Sequence, residues 1–296
     1  MKKTENILDA LTARAMQDGQ VAHMRTVIQK ELLHYDILYC LEHAGLLGGL
    51  VFQGGTSLRL CYGADRYSED LDFAGGPDFS MARFAALKHR VESHVGGRYG
   101  LEVTVREPKS SPNEPARSGV SVDRWRVSVV THPERKDIPK QRVHIEIASV
   151  PAYTSEVRKL QANYEFLPDG YADLLVVVES LDEIMADKLL ALPASQKHVR
   201  HRDFWDLAWL RQRGANVQPE LVERKISDYE VADYPVLLDS LIERAPTIIS
   251  GKEFQGQMKR FLPDDRYQRS FGNPNFELYL TATIGELFGE LKAGLA

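Results

Sequence analysis

Leu50-Val-Phe-Gln-Gly-Gly-Thr-Ser-Leu-Arg-Leu-Cys-Tyr-Gly-Ala-Asp-Arg-Tyr-Ser-Glu-Asp-Leu-Asp-Phe73 is the stretch that decides the fold. Its first residues read as a short apolar strand, and the glycine pair Gly54 and Gly55 follows. Thr56 and Ser57 then open a helix, and a second strand carries Asp70 and Asp72. Alternate side chains of a strand share a face, so both carboxylates project to one spot while Leu71 and Phe73 enter the core. The glycines let the backbone come close to a ligand, and the helix N-terminus at Thr56 and Ser57 offers N–H groups to an anion. An anion cradle beside paired carboxylates is the equipment for holding a nucleoside triphosphate and its Mg²⁺.

Each part also has an ordinary reading. A Gly-Gly pair is usually just a turn, and Asp-x-Asp is more often solvated than metal-binding. Their order within one strand–helix–strand unit is much more specific. The stretch resembles the signature of the nucleotidyltransferase superfamily, Gly-Ser followed after a short helix by Asp-x-Asp/Glu. The wording Gly54-Gly-Thr-Ser-Leu-Arg-Leu60, then Arg66-Tyr-Ser-Glu-Asp-Leu-Asp-Phe73, is similar to the AbiEii/AbiGii toxin family, the group of the mycobacterial MenT toxins.

Composition sets the bounds. A chain of 296 residues holds two domains or one large one and buries a substantial core. Its 43% hydrophobic and 27% charged content is that of a soluble globular protein. The net charge of -5 argues against a protein that coats nucleic acid in bulk, but leaves room for a local basic patch. Cys40 and Cys61 have no metal-ligand spacing, which points to a reduced compartment without structural disulfides. The N-terminus lacks the apolar core of a signal peptide and no apolar run is long enough to span a membrane, so the expected location is the cytoplasm.

Outward from the motif, residues 4–46 read as helix, with Ile7, Leu8, Leu11 and Ala15 at helical spacing. Residues 79–95 read as a further amphipathic helix ended by Gly96-Gly97. Strand-like runs follow at 101–105, 122–130 and 143–150, with an exposed loop expected from Lys109 to Gly119. In Val143-His-Ile-Glu-Ile147, His144 and Glu146 share the face away from the apolar residues. Glu146 reads either as an ordinary outward glutamate or as a third carboxylate, and the superfamily resemblance favours the third carboxylate beside Asp-x-Asp. Ser180 is an N-cap with Glu183 as its capping-box partner, and the chain beyond is largely helical. The change of period places a boundary near residue 180, between an α/β domain over 1–180 and a helical domain over 181–296 that closes the active-site cleft.

A second constellation lies in that helical part. Lys188 falls within the apolar helix Ile184-Met-Ala-Asp-Lys-Leu-Leu-Ala191, where a lysine either snorkels to solvent or faces an anion. Arg200-His-Arg-Asp-Phe-Trp-Asp-Leu207 follows, and helical spacing puts Arg202, Asp203 and Asp206 in one charged cluster, which on its own reads as a surface salt bridge. Both runs resemble the AbiEii-type pattern of Lys-Leu-x-Ala followed by Arg-Asp-x-x-Asp-Leu. The resemblance implies that Lys188 meets the triphosphate and that Asp206 is essential. Asp206 then orients or deprotonates the acceptor hydroxyl, or serves structurally with Arg202.

The fold implied is a polymerase-β-like nucleotidyltransferase domain, a mixed sheet flanked by helices, with the helical C-terminal domain. The implied enzyme transfers NMP from an NTP, with Asp70, Asp72 and Glu146 holding Mg²⁺. Gly54, Gly55, Thr56, Ser57, Ser68, Lys188 and Arg202 are the candidate nucleotide-binding residues. The resemblance further implies a toxin of a toxin–antitoxin or phage-defence pair, an AbiEi-like antitoxin partner, and the 3′ end of tRNA as acceptor. Lys197, His198, Arg200, His201 and Arg202, with Arg135, Lys136, Lys140 and Arg142, either guide RNA phosphates or are a solvated face. The rival classes are modification of a protein or small-molecule hydroxyl, and a non-catalytic nucleotide-binding module.

Overall fold

The computed structural model describes residues 6–108 and 120–295, so the expected loop at 109–119 lies outside the described residues. The chain divides into an α/β unit, which includes Ser121–Pro151 and Glu156–Val178, and a helical unit made of Ala152–Ser155 and the chain from Glu179 onward.

The α/β unit is built on a mixed sheet. Its strands are β1 (Val51–Gln53), β2 (Leu71–Ala74), β3 (Val103–Arg106), β4 (Val122–Val129), β5 (Gln141–Ala148), β6 (Ser155–Lys159) and β7 (Leu175–Glu179), in the order β3-β4-β5-β2-β1-β7-β6. β1 and β2 pair antiparallel, β2 and β5 parallel, and β4 is antiparallel to both β3 and β5. The expected alternation sets this arrangement. Leu71, Phe73, Trp125, Val127, Val129, Val143, Ile145 and Ile147 are all buried, and the apolar surface they remove from water stabilises the unit by about 1.5–3 kcal/mol per large side chain.

Helices cover that apolar face. α1 (Ile7–Ala15) and α2 (Arg25–His43) stand where one long helical segment was expected, and Asp18 caps a short 3₁₀ turn between them by accepting the Gln20 N–H. α3 (Gly54–Tyr62) links β1 to β2, while α2 packs on β5 and α4 (Leu87–Tyr99) on β3. The fourth helix departs from expectation at both ends. It begins after a 3₁₀ turn over Met81–Phe84, and it runs through Gly96 and Gly97 to end at Gly100, whose φ of 64° is left-handed. Gly96 packs closely inside the helix: a Cβ there would sit 3.3 Å from the Leu101 carbonyl oxygen, which would have to give by a few tenths of an ångström.

The helical unit runs from α5 (Leu181–Ala194) and α6 (His201–Gln212) through α7 (Pro219–Asp228), α8 (Tyr234–Ile249), α9 (Lys252–Phe261) and α10 (Asp264–Phe271) to α11 (Phe276–Leu295). On α11, Leu280, Ile284, Leu287, Phe288 and Leu291 recur at helical spacing and are all buried. Ser180 caps α5 by accepting the Glu183 N–H, but the reciprocal arm of the capping box is not made. The Ser180 N–H goes to the Thr154 carbonyl, and the Glu183 carboxylate takes N–H groups of Tyr153 and Thr154. Glu183 is diverted because Lys225 of α7 reaches it at 2.9 Å, Asp187 at 2.6 Å and Glu179 at 3.8 Å, an ionic knot that ties α7 to α5. Burial and the nearby Asp187 push the Glu179 carboxyl well above the usual carboxylate range. Among the described residues no helix is long and apolar enough to cross a membrane.

Candidate active site

The carboxylates lie on the sheet face opposite the core. Asp72 pairs in register with Glu146 on β5 on one side and with Gln53 on β1 on the other. The structure thus puts Glu146 directly opposite Asp72, because each neighbours buried residues of the same strand parity. Asp70 stands one residue ahead of β2. Its Oδ1 accepts the His144 backbone N–H at 2.9 Å and lies 3.0 Å from His144 Nδ1. The Glu146 carboxylate is met by Arg124 Nε at 2.8 Å, an ion pair whose arginine is 59% exposed and which solvent therefore weakens to about 1 kcal/mol or less. Among the described residues no three His, Cys, Asp and Glu side chains are gathered as a metal-binding group. Asp70 is turned onto His144 and Glu146 onto Arg124.

The glycine pair is tied to the same place. Gly54 has φ of +79°, and a Cβ built there would lie 2.8 Å from Asp72 Oδ2. Gly54 is therefore required twice, once for the backbone turn and once to leave room at the Asp72 carboxylate. Gly55 is covered by the Arg66 guanidinium, and Ser68 Oγ lies 3.1 Å from where a Gly55 Cβ would be. Thr56 and Ser57 are buried, and their hydroxyls turn inward. Thr56 Oγ1 donates to the Asp70 carbonyl and Ser57 Oγ to the Gly54 carbonyl at 2.8 Å. Thr56 ties the loop to the aspartate strand and Ser57 closes the glycine turn on itself, so neither hydroxyl points outward toward a ligand.

Gly54→Ala is expected to cost about 1–3 kcal/mol of stability from the left-handed backbone alone. It should also displace the Asp72 carboxylate and lower turnover beyond what the stability loss explains. Thermal melting and initial rates on the same preparation separate the two effects.

The second constellation is buried inside the helical unit. Lys188 does not snorkel: its side chain is 6% exposed, with Nζ 2.8 Å from Asp203 Oδ1 and 2.7 Å from Asp206 Oδ2. The anions it faces in the structure are these two carboxylates. Asp203 also binds Arg200. Burial alone would raise the Asp203 carboxyl, but Lys188 and Arg200 overcome it and hold the group well below the usual range. Arg202 lays its guanidinium over the Phe261 ring, 4.6 Å from the centroid. With Ser195, His198, Arg200, His201 and Gln257, it lines a surface pocket of about 420 Å³ beside Asp203.

Sequence reasoning missed His144, Arg124 and Arg66, the side chains that hold Asp70, Glu146 and Gly55 in place. His144 was visible as the face-mate of Glu146. Arg66 opened the family-like stretch Arg66–Phe73, but its position there did not show that its guanidinium folds back over Gly55.

This geometry agrees with the comparison to known families. A family model described as "Nucleotidyl transferase AbiEii toxin, Type IV TA system" matches residues 36–282, which include both constellations. The chain belongs to this family. It is thus a nucleotidyltransferase-family toxin of the type IV toxin–antitoxin class, and that membership implies an antitoxin partner and a nucleotide substrate. Among solved structures, the chain is similar to MenT4, the nucleotidyltransferase toxin of Mycobacterium tuberculosis H37Rv. The identity is 19% and the TM-score 0.52, over 97% of both chains, which supports the same fold. JHP933 from Helicobacter pylori matches at 20% identity and a TM-score of 0.49, over 90% of this chain and 94% of that one. No curated protein gives a significant match to the chain.

Proposed function

We propose that this AbiEii-family chain transfers a nucleoside monophosphate from a nucleoside triphosphate to RNA, with the 3′ end of tRNA as acceptor. The observation that carries the reading is the placement of Asp72 opposite Glu146, with Asp70 one step away and the Asp72 carboxylate against Gly54. The donor set suits Mg²⁺, a hard cation that prefers carboxylate oxygen, and the missing Cβ of Gly54 keeps Asp72 Oδ2 accessible. Asp70, Asp72 and Glu146 would hold the ion, which when bound supplies charge neutralisation at the α-phosphate and the leaving pyrophosphate.

The chain's own groups do the rest. The first-turn N–H groups of α3 bind phosphate oxygens, and Gly54, with no side chain, admits a phosphate close to the backbone beside Asp72, while Gly55 lies under Arg66. The acceptor hydroxyl oxygen bonds to the α-phosphorus, the bond from that phosphorus to the β-phosphate bridge breaks, and pyrophosphate leaves while the hydroxyl proton passes to water. Lys188, a candidate compact charge for the triphosphate on the family resemblance, has its ammonium buried against Asp203 and Asp206, so that role would require this ionic group to open. Its contact with Asp206, whose side chain is 3% exposed, favours a structural role for that aspartate over orienting or deprotonating the acceptor hydroxyl, with Lys188 as the partner. The proposed setting is the cytoplasm, where nucleoside triphosphates and tRNA are both abundant, and the proposed role is growth arrest in a toxin–antitoxin or phage-defence pair.

The acceptor is tested by supplying labelled nucleoside triphosphates, Mg²⁺ and tRNA with either an intact or a periodate-oxidised terminal ribose. Label on intact tRNA alone is the expected result. Equal labelling of both rules out 3′ extension, and label in protein or a small molecule moves the acceptor to that class.

A further inference from the structure

The sheet face that carries the carboxylates continues outward as a row of arginines. Because β3, β4 and β5 bury one face, the alternation turns Arg106, Arg124, Arg126, Arg142 and His144 to the other, where all are exposed or half-exposed. Register fixes their order. Arg106 on β3 lies opposite Arg126 on β4, and Arg126 lies opposite His144 on β5, which holds Asp70. In the adjacent row Arg124 lies opposite Glu146, and Glu146 opposite Asp72. Arg142 lies opposite Ser128, and Ser128 opposite Thr104, in the next row. The backbone positions of this array stand about 4.8 Å apart across strands and about 6.8 Å apart along them.

Nothing in the packing asks for such an array. Like charges directly opposite each other across a pair of strands destabilise it, and Arg106 faces Arg126 in that way. Among the described residues, Arg126 Nε is buried without a hydrogen-bond partner. Among the described residues of β2, β3, β4 and β5, the acidic groups on this face are the site carboxylates themselves, and Glu102, just ahead of β3, is bridged by Lys140 at 3.2 Å. A chain of net charge -5 has therefore concentrated positive charge on one uncovered sheet face that leads into its carboxylates.

We propose that this arginine face is the track along which the phosphate backbone of the RNA acceptor lies as its end enters the site. The proposal rests on the RNA reading above and adds the surface that recognises the acceptor. Charge complementarity selects the occupant: closely spaced guanidiniums with few apolar neighbours suit a polyphosphate backbone, and they read it without regard to base sequence.

The test combines Arg106→Thr, Arg126→Thr and Arg142→Thr, since threonine keeps the strand preference. Binding of tRNA is followed by fluorescence anisotropy over a salt series with no nucleoside triphosphate present. Wild-type protein is expected to bind. The triple variant is expected to bind at least roughly tenfold more weakly, with the slope of log affinity on log salt shallower by about 0.7 per lost phosphate contact. Its melting temperature should equal or exceed that of wild type, because the Arg106–Arg126 repulsion is gone. Unchanged affinity and slope overturn the track while leaving RNA as the acceptor. A wild-type protein that binds no tRNA and labels a protein or small molecule overturns both. Should the triple variant not fold, Arg106→Thr alone, on the edge strand, is held to the same two readouts.

Discussion

Asp72→Asn is expected to reduce nucleotidyl transfer by roughly 10³-fold, the scale of losing a main electrostatic stabiliser of the transition state, and to leave the fold intact. Asparagine is nearly isosteric, and the Asp72 side chain lies on the half-exposed face of β2, between Gln53 and Glu146, so it contributes little packing. What it loses is the charge that, in the proposed reading, would hold a cation together with Glu146 and Asp70. Stability should stay within about 0.5 kcal/mol. Asp70→Asn is expected to lose activity too, but with a measurable stability cost, because Asp70 also receives the N–H and ring of His144. The check is a single-turnover rate measured beside a denaturant melt. An Asp72→Asn protein that keeps its rate with Mg²⁺ removes this aspartate from the chemistry.

Lys188→Met is expected to destabilise the helical unit by about 3–5 kcal/mol, since it leaves the Asp203 and Asp206 carboxylates buried without their shared cation. Loss of activity in that single variant therefore says nothing about phosphate binding. The informative protein is Lys188→Met with Asp203→Asn and Asp206→Asn, where the whole ionic group becomes neutral. Its stability should recover most of the loss, and activity that is lost in it but kept by Asp203→Asn with Asp206→Asn, where the ammonium remains, would assign the loss to the ammonium. The same group sets an acid limb. The Asp203 carboxyl is depressed in the folded state from its ordinary 3.8, so its contribution is complete above that value and is lost as pH falls below about 4 toward the folded value. Asp203→Asn should flatten that limb in a melting series, and an unchanged limb would show that Lys188 is not holding Asp203 as described.

The parts of this protein that were legible in its sequence are those fixed by local period. Alternation on β5 told apart Ile145 and Glu146, and the Asp-x-Asp spacing told apart Leu71 and Asp72, so the carboxylate face was assignable before any contact was known. The Ser180 cap was legible for the same reason. What long-range pairing decides was not. Asp72 stands opposite Glu146 only because β2 and β5 run parallel in one register. Glu183 left its capping box because a lysine from α7 arrives there. β6 was invisible because its residues alternate between exposed and half-exposed, with no apolar period to read. Lys188 was the instructive case: an isolated lysine in an apolar helix left two readings open, and its pairing with Asp203 and Asp206 joins two motifs that the sequence offers separately.

Nucleotidyl transfer requires that the bond beyond the α-phosphate break and that the nucleotide move to the acceptor. The most direct measurement runs the reaction in parallel with nucleoside triphosphate labelled at the α- or the γ-phosphorus. The account predicts α-label on the acceptor and γ-label released in pyrophosphate, both absent in Asp72→Asn. Transfer of the γ-label to the acceptor, or release of labelled orthophosphate with no α-label transferred, would contradict it.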